Sequence, residues 1–329
     1  MMSKRAKVNA KLSAYDPAPM SLDARKKSNN LENPKQGNSW KQAIMNKIDN
    51  LKKFDVFQLS VPSWTKIFSI VTGCRTKRTK MSAPEHEDVD KRKCRMCLGG
   101  HRAIEGVHYN RIDADTHVST WVTIKLQLSL TNLHRLQLEA FYYVAAYLQA
   151  ELKDPLYVNP PTGLMQEIGQ DPNKMCKLNK VLCGWPPSGR IWFDKVSTWL
   201  HNYGFCTLGN SGTFMMLDLR DLPGVACGMI ILDLYSDDGL GSTDNSALWD
   251  SFMVDFKAAF IVLEKDPVYF PRCSIEWDPI TGIIQLHPEK YLLEIVAKHD
   301  MTDIHSSPIP LPACRKIYMN EDGNIYEIL

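Results

Sequence analysis

"ILDLYSDDGLG", residues 231–241, sets two adjacent carboxylates, Asp237 and Asp238, at the end of an apolar run and just before glycines. The run reads as a buried strand, and Asp and Gly are ordinary turn residues, so a polar surface turn would account for the stretch by itself. Paired carboxylates at a strand–turn–strand tip are also how several enzymes hold divalent cations, which take hard oxygen ligands. The neighbouring sequence has to decide between these two readings.

On either side the pattern is strand and helix in irregular alternation. "GTFMMLDLR" and "CGMIILDLY" read as strands flanking a turn, and "SALWDSFMVDFKAAF" as the helix that follows. "SGRIWFDKVSTWLHNYGF" is amphipathic, with Ile191, Val196, Trp199, Leu200 and Tyr203 largely on one face. Upstream, "TWVTIKLQLSLTNLH" predicts a helix, then a strand, then a second helix beginning near "YVAAYLQAEL"; "LYVNPPTG" predicts a strand stopped by prolines. Earlier still, Ser39 can cap a helix in which Trp40, Ile44, Ile48 and Leu51 recur at helical spacing. "VFQLSVP" and "WTKIFSIVTGC" read as short strands, and "RTKRTKMSAPEHEDVDKRKCRMC" as a charged loop leading into a strand near Cys94–Leu98. Past the aspartates, "SIEWD", "PITG" and "IIQLHP" form a hairpin, and "PEKYLLEIVAKHD" a closing helix. Such an order suits an α+β fold better than a regularly alternating parallel sheet.

Composition narrows the class. A chain of 329 residues with 44% hydrophobic content can bury a sizeable core, and no run approaches a membrane span. Nine cysteines at irregular spacings make a poor disulfide framework, which points to a reducing intracellular compartment, cytoplasm or nucleus. The net charge of +2 hides an asymmetry: residues 1–100 carry 21 Lys and Arg against 9 Asp and Glu. A basic amino-terminal third attracts polyanions without sequence preference, or is simply a solvated arm. "CRMCLGGH" also raises a small zinc site from Cys94, Cys97 and His101, with His108 as a further ligand, although a single Cys-x-x-Cys matches no standard finger.

Six stretches in one order, "SWKQAI", "KCRMCLGGHRAIEGVHYN", "AYLQAELKDPLYVNPPTG", "CKLNKVLCGWPPSGRIWFDKVSTWLHNYGF", "LYSDDGLGSTDN" and "SIEWDPITGIIQLHPEKYLLEIVAKHDMTDIHSSPIPLP", resemble the reverse transcriptase domain of copia-type (Pseudoviridae-type) LTR retrotransposons. The resemblance implies a right-hand polymerase of fingers and palm, with an antiparallel palm sheet backed by helices. It implies fingers and palm at 39–312 and an extension at 313–329 that stops before any ribonuclease H domain, while the polar, aperiodic residues 1–38 read as a disordered basic tail or linker. It implies Mg²⁺ (or Mn²⁺) held by Asp237 and Asp238, with an RNA or DNA template-primer and dNTPs as partners. Tyr235 matches the tyrosine before the pair. Tyr147 matches the aromatic beneath the incoming sugar. Lys93 and Arg95 match basic fingers positions that would face a triphosphate, and Arg190 and Trp192 match the palm helix.

The resemblance breaks at one catalytic position. Counting back from Ala146–Tyr147–Leu148 without a gap, Tyr142 stands where the first metal-binding aspartate belongs, and a phenol is no carboxylate at neutral pH. Glu139, three residues earlier, could replace it only if the strand slipped or bulged. "GWPPSG" stands where the family has "GLKQSP", and Asp233 interrupts an apolar strand, a costly burial if unpaired. Two functions remain open: a diverged RNA-directed DNA polymerase of weak or no activity, and a nucleic-acid-binding palm without chemistry.

Overall fold

The computed structural model describes residues 37–60, 67–77, 91–159, 175–221, 227–270, 273–278, 281–288, 292–293, 295–296, 316–319 and 325–328. The chain divides into two units, Met1–Pro267 and Val268–Leu329.

Strand β10 (Met229–Tyr235) is apolar apart from Asp233 and the terminal Tyr235, because both of its faces are covered. It lies inside a six-stranded sheet together with β5 (Gln137–Tyr143), β8 (Cys206–Thr207), β9 (Phe214–Asp218), β11 (Asp238–Thr243) and β12 (Val262–Lys265). The strand order is β12-β5-β11-β10-β9-β8, with every neighbouring pair antiparallel. On one face, Ile230, Leu232, Phe141 and Tyr143 share a buried cluster with helices α3 (Ser188–Tyr203) and α4 (Ser246–Ala259). Aromatic rings dominate there: Phe252 and Phe256 stack at 5.0 Å, and Tyr143 meets Trp192 edge-on at 4.9 Å. On the other face, Leu130 of α2 (Trp121–Leu133) packs on Leu136, Phe214, Met229 and Ile231. Gln127 Nε2 of that helix is buried and donates to the carbonyls of Ile231 (3.3 Å) and Leu240 (3.0 Å), while its buried Oε1 has no hydrogen-bond partner among the described residues.

Helix ends follow the local chemistry. Thr120 and Thr123 form a reciprocal capping box at the start of α2, and the Asn245 side chain accepts from Ala247 and Leu248 amides at the start of α4. Gly204, at φ 119°, ends α3, and the amides of Gly204 and Phe205 both return to the Leu200 carbonyl.

A second layer in the same unit orders β1 (Phe57–Ser60), β7 (Met175–Lys180), β6 (Glu151–Val158) and β2 (Ile67–Phe68) as β1-β7-β6-β2, with β2 parallel to β6. Beside it, β3 (Ile70–Lys77) and β4 (Lys91–Leu98) form a hairpin. Cys94, Met96 and Leu98 of β4 bury in one cluster with Ala43, Ile48 and Leu51 of helix α1 (Gly37–Lys53), so Lys93 and Arg95 alternate outward.

One expected helix is absent. Around "YVAAYLQAEL" the strand ends at Tyr143, Ala145 turns at φ 54°, a short 3₁₀ turn covers Ala146–Gln149, and β6 begins at Glu151. The left-handed Ala145 breaks helical continuity, and the Gln149 side chain ties the turn to the Val144 carbonyl and to both backbone groups of Ile261.

In the second unit, β14 (Cys273–Trp277) pairs with β15 (Ile284–His287), as expected for that hairpin, and with β13 (Tyr269–Phe270). A further hairpin joins β16 (Lys316–Met319) and β17 (Ile325–Ile328). Most of the tail expected at 1–38, the charged loop at 78–90, most of the closing helix and parts of 313–329 lie outside the described residues; Gly37 and Asn38 belong to α1.

Candidate active site

Strands β10 and β11 pair in continuous register from Ile230↔Thr243 to Tyr235↔Asp238, which leaves Ser236 and Asp237 as a two-residue loop. Loops this short favour turns that begin with a positive φ, and Ser236 adopts 55°. For a residue with a Cβ this costs about 1 kcal/mol or more, so the turn has to be held by its surroundings. Two bonds hold it from below. Trp192 Nε1 of α3 donates to the Ser236 carbonyl at 3.1 Å, and the Tyr143 amide donates to the Asp237 carbonyl at 2.8 Å.

The glycines after the aspartates are packing residues rather than turn residues. Gly239 and Gly241 lie within β11, on the helix-covered face. A Cβ at Gly239 would sit 2.1 Å from the Phe141 ring, and one at Gly241 2.4 Å from the Trp249 ring. The pattern Asp-Gly-Leu-Gly therefore marks a strand pressed flat onto aromatic side chains.

Across the tip, Asp238 is directly opposite Tyr142 of β5. Facing positions in an antiparallel pair share one side of the sheet, with Cβ atoms about 5 Å apart, so Tyr235, Asp238 and Tyr142 form one row. The Tyr142 ring is 38% exposed there. Lys265 of β12 reaches the same row, and its Nζ is 2.5 Å from Asp238 Oδ1. Asp237 is exposed at the apex.

Glu139 is not brought to the tip, which corrects the expectation that it could replace the missing carboxylate. The β5–β11 register runs without a bulge, and Glu139 faces Gly241, three residues and about 10 Å down the strand. The odd spacing turns it to the helix side, where its Cβ lies 3.4 Å from the position a Gly241 Cβ would take. Gln137 donates to its carboxylate at 2.5 Å, and partial burial, reinforced by Glu264 and Asp250, pushes its pKa upward.

Asp233 shares the tip row's face, two residues inside β10, and is fully buried. Ser119 Oγ, just ahead of α2, donates to its Oδ2 at 2.6 Å. Burial raises its pKa despite that bond and the lesser help of Thr123, Thr213 and the Leu234 amide. The expected cost of an acid in an apolar strand is thus only partly offset: a hydroxyl from another element satisfies Oδ2, while Oδ1 stays buried with no hydrogen-bond partner among the described residues.

Tyr147, in the 3₁₀ turn after β5, lines a small pocket together with Ser236, Trp192, Phe193 and Tyr143, so it stands beside the loop. Lys93 and Arg95 sit on the exposed face of β4, in a hairpin separate from the six-stranded sheet. Arg190 pairs with Asp194 within α3 at 2.7 Å. The zinc reading fails on geometry. Cys94 and Cys97 project to opposite faces of β4, the His108 Nδ1 accepts from the Ile104 amide, and no group of three metal-binding side chains occurs among the described residues.

Sequence patterns give no sign of Lys265 or of the Trp192 buttress, because both depend on which strand and helix lie alongside. The apex fits a single Mg²⁺, which is commonly bound through one or two carboxylates, its own waters and substrate phosphates. Among the described residues no third carboxylate joins this pair, and Lys265 already occupies Asp238 Oδ1.

Comparison with known proteins places this arrangement. A family model described as reverse transcriptase (RNA-dependent DNA polymerase) matches residues 75–313. The chain is 23% identical over 243 residues to the retrovirus-related Pol polyprotein from transposon RE1 of Arabidopsis thaliana, covering 74% of this chain and 16% of that protein. It is 22% identical over 286 residues to the corresponding polyprotein from transposon RE2 of the same plant, covering 85% and 18%. It is 21% identical over 310 residues to that from transposon TNT 1-94 of Nicotiana tabacum, covering 91% and 22%. The chain thus spans about a fifth of the length of these relatives. With a paired-aspartate hairpin tip inside an antiparallel sheet and a family match across most of its length, the chain belongs to the reverse transcriptase (RNA-dependent DNA polymerase) family, as a diverged domain of the copia-type retrotransposon kind.

Proposed function

We propose that the six-stranded sheet with α2, α3 and α4 serves as a polymerase palm, that α1 and the β3–β4 hairpin serve as fingers, and that 39–312 act together in extending a primer on an RNA or DNA template. On this reading Asp237 and Asp238 bind Mg²⁺ (or Mn²⁺), Tyr147 packs beneath the incoming sugar, and Lys93 and Arg95 face the triphosphate of a dNTP. A bound divalent ion would supply Lewis-acid activation of the primer hydroxyl and charge neutralisation at the departing pyrophosphate. The chain itself contributes position: the Trp192 and Tyr143 bonds fix the apex so that Asp237 stays presented without reorganisation.

The observation that carries this reading is Asp238 at the hairpin tip directly opposite Tyr142, the position where the resemblance calls for the first aspartate. The same observation supports weak catalysis, since one bridging carboxylate is replaced by a phenol. It also keeps a second reading in play, a palm that binds nucleic acid without chemistry, to which the Lys265–Asp238 pair adds weight. No helix among the described residues is long and apolar enough to cross a membrane, and a cytoplasmic or nuclear setting suits nucleic-acid partners.

Primer extension on a homopolymer template with Mg²⁺ or Mn²⁺, beside the double variant Asp237→Asn, Asp238→Asn, tests the proposal. Incorporation above the variant supports polymerase function. Incorporation equal to it, with salt-sensitive template binding retained, leaves the binding palm.

A further inference from the structure

We propose that Cys97 and Cys183 form an oxidation site, a dithiol that closes to a disulfide and staples strand β4 to the segment entering α3. Their sulfurs are 3.0 Å apart although 86 positions separate them in sequence, and both are free thiols. A bond needs about 2.05 Å, so the sulfurs close by about 1 Å.

The closeness is set by backbone rather than by side-chain rotation. The Leu98 amide donates to the Cys183 carbonyl at 2.7 Å. Gly184, at φ 93°, lies so close that a Cβ there would be 2.3 Å from the Leu98 carbonyl oxygen, and a Cβ at Gly100 would be 1.8 Å from the Gly184 carbonyl oxygen. Both glycines are needed for the two segments to run flush, and this fixes the thiol pair. Both cysteines are half-buried and so accessible to a small oxidant.

The electrostatics favour reaction in one direction. The two thiols share a hydrogen bond in which either sulfur can donate, and Arg95 and Lys47 add positive charge; together these hold the Cys97 pKa down against the opposing effect of burial. Hydrogen bonding to Cys97, then burial, pushes Cys183 upward, so it keeps its proton. Cys97 is therefore the attacking thiolate and Cys183 the resolving thiol. With a low-molecular-weight disulfide such as oxidised glutathione, the Cys97 sulfur attacks one glutathione sulfur and expels one glutathione thiolate. Cys183 then loses its proton to that thiolate, attacks the Cys97 sulfur and expels the second. Two protein thiols are oxidised, one glutathione disulfide is reduced to two thiols, and thiols of the same class reverse both steps.

The site needs no polymerase activity, and its test reads sulfur chemistry alone. The full chain is incubated with oxidised glutathione, quenched by alkylation and digested without reduction, and the linked peptides are identified by mass spectrometry, both for folded chain and for chain unfolded in guanidinium. The proposal expects the Cys97–Cys183 link to dominate and to form faster in the folded chain, with Cys97 alkylated at lower pH than Cys183. In Cys183→Ser, Cys97 should instead accumulate as the glutathione mixed disulfide. Links scattered among the cysteines, or a Cys97–Cys183 link no faster folded than unfolded, would overturn the proposal; that comparison uses the natural chain and stands whether or not the serine variant folds.

Discussion

Gly241→Ala tests the register on which the site depends. The added methyl would lie 2.4 and 2.5 Å from two carbons of the Trp249 indole, against about 3.4 Å or more for ordinary contacts, and Trp249 is 2% exposed. Strand β11 cannot yield easily, because β10 and β5 grip it from both sides. Overpacking of this kind costs about 1–3 kcal/mol, and the lower entropy of an unfolded alanine returns about 0.4–1 kcal/mol. A net loss of about 1–2 kcal/mol is expected, read as a lower denaturation midpoint at unchanged slope in urea. Trp249→Leu in the same chain should remove most of the extra penalty, since it deletes the atoms struck. Gly73→Ala in β3, where a Cβ meets nothing within 4 Å, is the control and should be stabilising by about 0.4–1 kcal/mol through the same entropy term. A Gly241→Ala chain as stable as the natural one would refute the register that sets Asp238 opposite Tyr142.

Further expectations concern the groups around the tip. Asp233→Asn should raise stability at neutral pH: the raised pKa means that the folded chain holds the proton more tightly, so this group's contribution is greatest below the unfolded carboxyl range and is lost as pH climbs toward the folded value. Urea midpoints across that window should slope less in the variant. Trp192→Phe removes the donor to the Ser236 carbonyl and should cost about 1–2 kcal/mol, counting one hydrogen bond and some lost packing. Lys265→Met removes a partly exposed ion pair and should change stability by about 1 kcal/mol or less, while strengthening Mn²⁺ binding measured by water proton relaxation. Asp238→Asn should abolish that gain.

Much of the fold was legible because local patterns agreed with tertiary demands. The amphipathic stripe of α3 and the strands around the aspartates emerge where the sequence places them, whereas Ser39, expected to cap α1, lies inside a helix that begins at Gly37. The segment at 143–152 misleads because its apolar spacing is compatible with a helix, whereas Ala145 and the Gln149 bonds, which depend on a distant carbonyl and amide, decide otherwise. The placement of the aspartate pair at a strand tip was legible, and an ungapped count singled out Tyr142, which the register sets opposite Asp238. The fate of Glu139 was not, since face and register exist only once strands pair. Ser119 meeting Asp233 across 114 positions, and Lys265 meeting Asp238, carry no sequence signature at all.

The measurement closest to the central claim is primer extension by Tyr142→Asp, with Tyr142→Asp, Asp237→Asn as its control. A carboxylate restored opposite Asp238 should raise Mg²⁺-dependent incorporation about tenfold or more over the natural chain, an effect of about 1.4 kcal/mol on the barrier, and the control should lose it. Unchanged incorporation in Tyr142→Asp, together with activity abolished by Glu139→Gln, would contradict the placement of Tyr142 at the metal-binding position.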